Sequence, residues 1–483
     1  MSVNRRNFLL GTAAAAAGVA AALPASAEPA TGAAAESTGK ARRPNIVIYH
    51  SDQFRWDFLG ANGLNSTTRT PHLDRLAAEG TNFNHAITNQ PVCSPSRSVL
   101  LTGCYASETG VWHNGLQMRQ DLPTLATELR SVGYTANYIG KWHLALEGAG
   151  GGPGAVSREH RGGFLDLWEA ANALEHTSHP YEGSIWDTDD KPIPFKDEYR
   201  VDFLTDRAER FLRQHQEKPF LLVISQLEPH QQNDMSRMVG PKGGAERFKN
   251  PFVPADLQAH PGDWYQQLPD YYASCEAIDA SVGRLRKVLE EEGQAENTIF
   301  VFMSDHGCHF MTRNQEYKRS THNSSLRIPL VVHGPGFETA RQIEEVVSIV
   351  EIAPTLLEAA DVAVPATMRG KSFLPLVHSA KARAEWPSVE LVQISESMTA
   401  RSIRTKDWTY CVADLSGSTT ESHASVYHEY QLYDQRNDPH ELVNLAGRKE
   451  YREVANHLRG ELKKLIVASG EPEPEIVPAK LYP

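Results

Sequence analysis

An alternation of short apolar runs with amphipathic helical patterns constrains the fold of this chain more than any other feature. Leucines and valines at helical spacing separate the apolar runs, as in Leu122–Val132 and Ile278–Leu289. This alternation predicts an α/β fold, in which a large mixed, mostly parallel sheet lies between two layers of helices. The strand-length apolar runs are Asn45–Ser51, Tyr134–Gly140, Phe220–Gln226, Thr298–Ser304 and Ile328–Gly334.

The pattern changes near Lys381–Pro387. Beyond this point, short β-like runs precede a helix marked by valine and leucine between Val454 and Leu465. The sequence therefore predicts a main α/β domain over residues 44–380 and a smaller C-terminal α+β subdomain over residues 381–483. The β-like runs lie around Leu391–Ile394, Ser402–Ile403 and Trp408–Val412.

The first 27 residues are predicted to be a twin-arginine signal peptide. Arg5 and Arg6 precede an alanine-rich apolar run, and Ala25–Ala27 forms a small-residue cleavage site. The run from Phe8 to Leu23 has 16 residues, fewer than the ~20 that a membrane-spanning helix needs. We therefore expect export through the twin-arginine machinery, to the periplasm or the medium, with no stable membrane span. Residues 28–43 are predicted to be a flexible leader.

Charge and cysteine content exclude some classes of function. A formal net charge of −12 argues against nucleic acid as a partner, because phosphate contacts need a basic face. It does not exclude a small anionic substrate, since a few clustered cations set the field in a cleft. The five cysteines are scattered, which favours neither a zinc site nor a dense disulfide framework.

Polar residues follow four of the predicted strands. The carboxyl ends of parallel strands meet at one edge of a sheet, which predicts a shared site there. Carboxylate and amide oxygens of the type found here are ligands that Ca²⁺ and Mg²⁺ prefer, and a histidine adds a nitrogen ligand. The alternative is that the aspartates cap the helices that follow. The four groups are Asp52 with Gln53, Lys141 to His143, His230, and Asp305 with His306.

The segment Cys93–Arg97 has the sequence Cys-Ser-Pro-Ser-Arg. Proline is favoured just inside a helix start, so Cys93 is predicted to lie at or just before a helix N-terminus. Free amide groups and the helix dipole stabilise an anion there. Arg97 lies four residues on, on the same helical face, and is expected to brace position 93. The alternative is that Cys93 is a buried core thiol.

Cys93–Arg97 resembles the signature of the formylglycine-dependent (type I) sulfatases of the alkaline phosphatase superfamily. The resemblance implies an alkaline-phosphatase-like fold and a hydrolase of sulfate esters. Further segments that resemble this family are Ser51–Gln53, Thr70–Ala77, Gly140–His143, Ser304–Gly307, Arg327–Pro329, Leu432–Asp434 and Asp438–Leu445. The chain departs from the commonest family pattern at Gln53, Cys104, His306 and His322–Asn323.

The resemblance also implies cofactors. Cys93 would be oxidised by a formylglycine-generating enzyme, and one hydroxyl of the hydrated aldehyde would attack sulfur. Ca²⁺, with Mg²⁺ or Mn²⁺ as alternatives, would be bound by the set Asp52, Gln53, residue 93, Asp305 and His306.

The remaining roles follow from the same resemblance. His230 would protonate the departing alcohol, and His143 would take the proton from the second hydroxyl as sulfate is expelled. Lys141, Lys318 and Arg97 would neutralise sulfate oxygens and hold the diol. The residues expected to contact substrate are Lys141, His230, Lys318 and His322.

Family breadth favours a sulfated carbohydrate, as a small molecule or an oligosaccharide. Trp168, Trp186, His176 and His179 could form a sugar-binding rim or could be structural. The nearest rival is a phosphonate monoester or phosphodiester hydrolase of the same superfamily. More distant rivals are a non-catalytic secreted binding protein on a sulfatase scaffold and a zinc phosphatase with a serine or threonine nucleophile.

Overall fold

The computed structural model describes residues 42–146, 151–214 and 217–482. The predicted signal peptide and all of the predicted leader before Arg42 lie outside these residues. Within the described ranges, no helix is both long and apolar enough to cross a membrane.

An eleven-stranded mixed sheet forms the main part of the fold. Its strands are β1 (Asn45–Asp52), β2 (Thr81–Ile87), β3 (Thr135–Lys141), β4 (Trp168–Ala171), β5 (Ser178–His179), β6 (Glu182–Trp186), β7 (Pro192–Lys196), β8 (Phe220–Pro229), β9 (Thr298–Ser304), β10 (Leu330–His333) and β11 (Arg341–Ser348). They lie in the order β11-β2-β10-β9-β1-β8-β3-β4-β6-β5, and β7 pairs with β6. The five central strands from β9 to β4 run parallel, so the predicted fold class is confirmed.

The five predicted strands all form, with shifts at their ends. The run Ile328–Gly334 is shorter than predicted, because only Leu330–His333 pair, and this strand is antiparallel to both β9 and β2. Strand β8 is longer than predicted and reaches Pro229. Strands β2 and β11 lacked a continuous apolar run and were not expected; they pair in parallel at one edge of the sheet.

Helices cover both faces of this sheet, which explains why its central strands are apolar throughout. Alternate residues of β1 enter different cores: Ile46 and Ile48 pack on one side, and Val47 and Tyr49 pack on the other. The helices are α1 (Pro71–Glu79), α2 (Cys93–Thr102), α3 (Ala106–Thr109), α4 (Leu125–Ser131), α5 (Leu174–Thr177), α6 (Arg200–Leu212), α7 (Ala255–Gln258), α8 (Trp264–Glu291), α9 (Asn323–Leu326), α10 (Ile352–Ala359), α11 (Leu374–His378), α12 (Ala380–Glu385) and α13 (Arg452–Ala468).

A second, five-stranded sheet forms the smaller C-terminal subdomain. Its strands, in spatial order, are β12 (Val389–Ile394), β13 (Ala400–Thr405), β14 (Trp408–Ala413), β15 (Val426–Asp434) and β16 (Glu475–Val477). Helix α13 packs on it through Leu458 and Leu462, which share a core with Ile403 and Tyr410. The subdomain joins the main part where the Gln393 N–H donates to the Asn89 carbonyl at 2.7 Å.

Candidate active site

Four neighbouring parallel strands bring the predicted polar groups to one edge of the main sheet. Asp52 ends β1, Lys141 ends β3, His230 follows β8, and Asp305 follows β9. The strands lie in the order β9-β1-β8-β3, so the carboxyl ends of adjacent strands present these side chains together. All four residues are at least 95% buried.

Cys93 is the first residue of α2, as the position of Pro95 predicts. Val92 before it is extended, and the Ser94 N–H donates to Asn114 Oδ1 at 3.0 Å. The Ser96 hydroxyl donates to the Asp305 carbonyl at 2.8 Å. The helix N-terminus is therefore tied to the end of β9, with Cys93 directed at the sheet edge.

Acceptor atoms crowd together at the centre of the site. Ligand atoms of Asp52, Cys93, Asp305 and His306 all lie within 4.8 Å of one another. His306 Nε2 is 3.5 Å from Oδ1 of each aspartate, and its Nδ1 lies 2.9 Å from the Gly307 carbonyl. When Nδ1 carries the proton to that carbonyl, the Nε2 lone pair faces two carboxylate oxygens. Such a set is the chemistry of a divalent cation site.

Arg97 lies on the outer side of this group. One of its nitrogens donates to Oδ2 of both Asp52 and Asp305, at 3.1 Å each. The other donates to the Lys141 carbonyl at 2.9 Å and to the Ser225 hydroxyl at 2.6 Å. The two Oδ1 atoms therefore remain directed at the centre. Arg97 therefore contacts the two carboxylates and the end of β3, and its predicted role in bracing position 93 stays a prediction.

The two aspartates have opposite pKa shifts. Burial raises the pKa of Asp305, and the charge of Asp52 raises it further. Burial also opposes ionisation of Asp52, but Lys141, His230 and Lys318 hold its pKa well below the usual range. Two buried carboxylates that both lie 3.5 Å from His306 Nε2 resist a second negative charge. A bound cation would remove that penalty.

Gln53 turns sharply away from β1, with a φ of +70°. Its backbone N–H donates to Asp305 Oδ1 at 3.0 Å, and its side-chain amide donates to Gln231 Oε1 at 2.9 Å. The amide oxygen lies 3.5 Å from Lys318 Nζ, so this acceptor faces the site. A left-handed φ at a non-glycine residue costs energy and persists where the surroundings fix it.

Lys318 joins the Cys93 thiol to His230. Its Nζ lies 2.9 Å from Cys93 Sγ and 2.9 Å from His230 Nε2. His230 Nδ1 lies 2.6 Å from the Gln231 carbonyl. The lysine is held by its own carbonyl, which accepts from Asn314 Nδ2 at 2.9 Å.

Lys141 forms a buried ion pair that the sequence did not reveal. Its Nζ donates to Asp52 Oδ2 at 2.9 Å and to Glu175 Oε1 at 2.7 Å. Burial opposes ionisation of Glu175, but Lys141, His143 and His230 together outweigh it and lower its pKa to about 2. His143 Nδ1 lies 4.0 Å from the same carboxylate oxygen. A single glutamate on the four-residue helix α5 carries no motif, which is why it was missed.

The site favours an anion at position 93. Burial raises the pKa of the Cys93 thiol, but Lys141 and Lys318 together hold it well below the ordinary value. Hydrogen bonds from His143 and His230 lower it further. A cleft of about 500 Å³ opens onto Cys93, and Glu175, His230, Lys318 and Arg319 line it.

Some of the residues singled out in the sequence lie elsewhere. His322 is buried against the C-terminal subdomain, with Nε2 3.2 Å from the Tyr433 hydroxyl, and it does not join the group around Cys93. Burial holds its pKa well below the usual value. Trp168 is fully buried and packs against Trp142 and Tyr138, so its role is structural.

The histidines of the suggested rim lie beside the cleft. His176 and His179 line a hollow of about 270 Å³ whose wall includes Glu175. His179 pairs with Asp234 at 2.7 Å. Trp186 is partly buried and packs on the core of the main domain.

A family model described as "Sulfatase" matches residues 44–362, which include every residue of the site described above. The chain belongs to the sulfatase family. A second model, described as "N-sulphoglucosamine sulphohydrolase, C-terminal", matches residues 315–468. This membership makes the chain a sulfuric ester hydrolase.

Named relatives span nearly the whole chain. An ulvan-active sulfatase of Formosa agariphila is 29% identical over 90% of this chain and 83% of its own length. An N-acetylglucosamine-6-O-sulfatase of Bacteroides thetaiotaomicron is 25% identical over 86% of this chain and 85% of its own. Among solved structures, a candidate sulfatase of Bacteroides fragilis superposes with a TM-score of 0.75 at 25% identity, covering 89% of this chain and 97% of its own.

Proposed function

We propose that this sulfatase removes sulfate from a carbohydrate sulfate ester, using a formylglycine made from Cys93 and a divalent cation. The main support for the proposal is that Lys318, His230 and the paired carboxylates all lie close to Cys93 Sγ. A core thiol needs none of these neighbours.

The modification of Cys93 rests on its motif and on its place at a helix N-terminus. A separate formylglycine-generating enzyme, with an external oxidant, would convert the side chain from thiol to aldehyde. In water, an aldehyde hydrates to a diol, which supplies a hydroxyl nucleophile and a second hydroxyl whose deprotonation expels sulfate. An unmodified thiol or a serine offers one nucleophile but no second hydroxyl.

Asp52, Asp305, His306 and Gln53 would hold the cation, together with residue 93. We favour Ca²⁺, with Mg²⁺ or Mn²⁺ as alternatives, because most of the donors are oxygens. When bound, the cation acts as a Lewis acid toward oxygen. Arg97 fixes the positions of both carboxylates, since it donates to their outer oxygens.

Two lysines would neutralise the charge of the sulfate group. Lys318 reaches position 93 directly, and Lys141 is held near it by Asp52 and Glu175. Fixed ammonium groups in a dry site stabilise the oxygens on which charge develops, and they require little reorganisation.

His230 and His143 would move protons. His230 lines the cleft, and its Nε2 lies 2.9 Å from Lys318 Nζ. A proton on this side of the imidazole would pass to the departing sugar oxygen. His143 contacts position 93 and lies near Glu175, which stabilises the imidazolium that forms when His143 takes the second proton.

Neutral amide groups around the cleft support a carbohydrate substrate. Amides both donate and accept hydrogen bonds, as sugar hydroxyls do. The names of both relatives and of the C-terminal family model also refer to sugars or polysaccharides. The amide side chains that line the cleft are Asn114, Gln231, Asn233, Gln266, Gln267 and Gln315.

The experiment is a screen of sulfated mono- and oligosaccharides for free sulfate, alongside a phosphate diester. The protein is co-expressed with a formylglycine-generating enzyme, and Cys93→Ala is the matched inactive control. We expect sulfate release from at least one sugar and a much slower reaction with the diester. Faster phosphate diester hydrolysis, or equal rates for wild type and Cys93→Ala, would refute the proposal.

We also propose export through the twin-arginine pathway, on the strength of residues 1–27. Replacement of Arg5 and Arg6 by lysine is expected to leave the protein in the cytoplasm of the native host. Fractionation followed by immunoblotting measures this, and an unchanged exported fraction would contradict the proposal.

A further inference from the structure

The loop after β12 brings a carboxylate of the C-terminal subdomain to the wall of the active site. Glu396 lies in this loop in a left-handed conformation, with a φ of +65°. Its N–H donates to the Thr419 carbonyl at 2.7 Å, and its side chain is 18% exposed. A glutamate fixed in this way has a defined direction, which an exposed surface carboxylate lacks.

Each oxygen of Glu396 holds a different segment of the main domain. Oε1 accepts from the backbone N–H of Asn114 at 2.6 Å. Oε2 pairs with Nη2 of Arg319 at 2.5 Å. One side chain therefore ties together two segments that are 205 residues apart in the sequence.

Both segments lead directly to residue 93. The Asn114 side chain accepts from the N–H of Ser94, the residue after Cys93. Arg319 follows Lys318, whose ammonium contacts Cys93 Sγ, and the Arg319 N–H donates to the Pro91 carbonyl at 3.2 Å. The position of the nucleophile and that of its lysine thus depend on the same carboxylate.

Arg319 needs this support, because it is largely buried and conformationally strained. Its φ is +67°, and its side chain is 13% exposed. Its other partner, Glu316, pairs at 2.7 Å but is 52% exposed. A partner in solvent contributes less than a buried one, so Glu396 is the stronger of the two restraints. The Ser397 hydroxyl adds a bond to the Arg319 carbonyl at 2.6 Å.

We propose that Glu396 is a positioning residue, supplied by the C-terminal subdomain, that fixes Lys318 and the helix N-terminus bearing residue 93. The inference rests on the proposed function of that site. Glu396 does not itself line the cleft, so its effect on catalysis would pass through Arg319 and Asn114.

Steady-state kinetics of three variants test this role. For Glu396→Ala we expect kcat to fall about 10- to 100-fold with a smaller change in KM, since displacements near 1 Å cost this much in positioned chemistry. Glu396→Asp keeps the charge and should recover more of kcat than Glu396→Gln. Glu473→Gln is the control, because Glu473 is 62% exposed and pairs with Lys463 within the same subdomain. Equal kcat values for wild type and Glu396→Ala would overturn the proposal.

A crystal structure of the Glu396→Gln variant separates this inference from the proposed function, because it requires no turnover. We expect Lys318 Nζ to move away from residue 93 and the Asn114 contact with Ser94 to lengthen. An unmoved Lys318 and an intact Asn114 contact would overturn the positioning role, even if wild-type sulfatase activity is established. If the displacement is seen in Glu396→Gln but the wild type has no sulfatase activity, only the proposed function is refuted and the positioning role stands.

Discussion

Lys318 Nζ lies 2.9 Å from Cys93 Sγ, although 225 residues separate the two in the sequence. The lysine comes from a loop and the cysteine from a helix N-terminus, so only the folded sheet brings them together. This contact places a fixed positive charge at the atom that the motif singles out for chemistry.

Loss of this charge should impair the chemical step. We expect Lys318→Met to lower kcat by about 100- to 1000-fold, the usual cost of removing one fixed donor from a site of developing charge. Lys381→Met is the control, since Lys381 is 81% exposed on α12. Initial rates on the best sugar sulfate measure the effect. A Lys318→Met variant within twofold of wild type would show that this ammonium does not act on the substrate.

Removal of the proposed divalent cation should affect both activity and stability. The buried carboxylates of Asp52 and Asp305 repel each other, and a cation between them would relieve this repulsion. A cation that binds only the folded state would add about 3 kcal/mol to the free energy of unfolding at one hundred times its Kd. We expect chelation to abolish sulfate release and to lower the Tm, and Ca²⁺ to restore both.

The matched variant for this test is Asp305→Asn. Its Tm should respond little to Ca²⁺, whereas Asp121→Asn should respond as wild type does, because Asp121 is an exposed partner of Arg119. Equal responses in the two variants would place any bound cation elsewhere.

A buried pair of glutamates should make stability depend on pH. Glu351 and Glu390 approach the same residue, since Ser348 donates to Glu351 from its backbone at 2.9 Å and to Glu390 from its hydroxyl at 2.6 Å. Burial raises the pKa of Glu390 from 4.5 to about 7. Burial and the charge of Glu390 raise the pKa of Glu351 as well.

The direction of the pH dependence follows from the raised pKa values of the two glutamates. The folded state keeps the protons that the unfolded chain releases near pH 4.5, so the free energy of unfolding should fall as the pH rises from 4.5 to 7, by an amount of the order of 2 kcal/mol. Urea unfolding at several pH values measures this fall. Glu390→Gln should show a shallower fall, and the exposed control Glu385→Gln should match wild type. Identical slopes for wild type and Glu390→Gln would contradict this account.

The sequence predicted the parts of the fold and site that depend on local pattern. Strands β1 and β9 each contain a continuous apolar run, and an aspartate ends β1 and follows β9. Both the strands and their polar ends could therefore be predicted from the sequence. The helix start at Cys93 could be predicted because proline, here Pro95, is favoured just inside the start of a helix. Parallel pairing then brings these ends together without further information.

The sequence did not reveal contacts that arise from long-range packing. Glu175 meets Lys141, and Glu396 meets Arg319, through segments with no motif of their own. His322 follows Lys318 closely in sequence, yet the turn into α9 directs it to Tyr433. Strands β2 and β11 were missed because polar residues interrupt their apolar pattern, as is usual near the edge of a sheet.

Mass spectrometry of residue 93 tests the central claim most directly. Trypsin should release the peptide Leu76–Arg97, since Arg75 precedes it and Arg97 ends it. In protein purified from the native host, the account predicts that this peptide carries an aldehyde, and no sulfur, at position 93. A peptide that contains only unmodified cysteine at this position, in protein that hydrolyses sulfate esters, would contradict it.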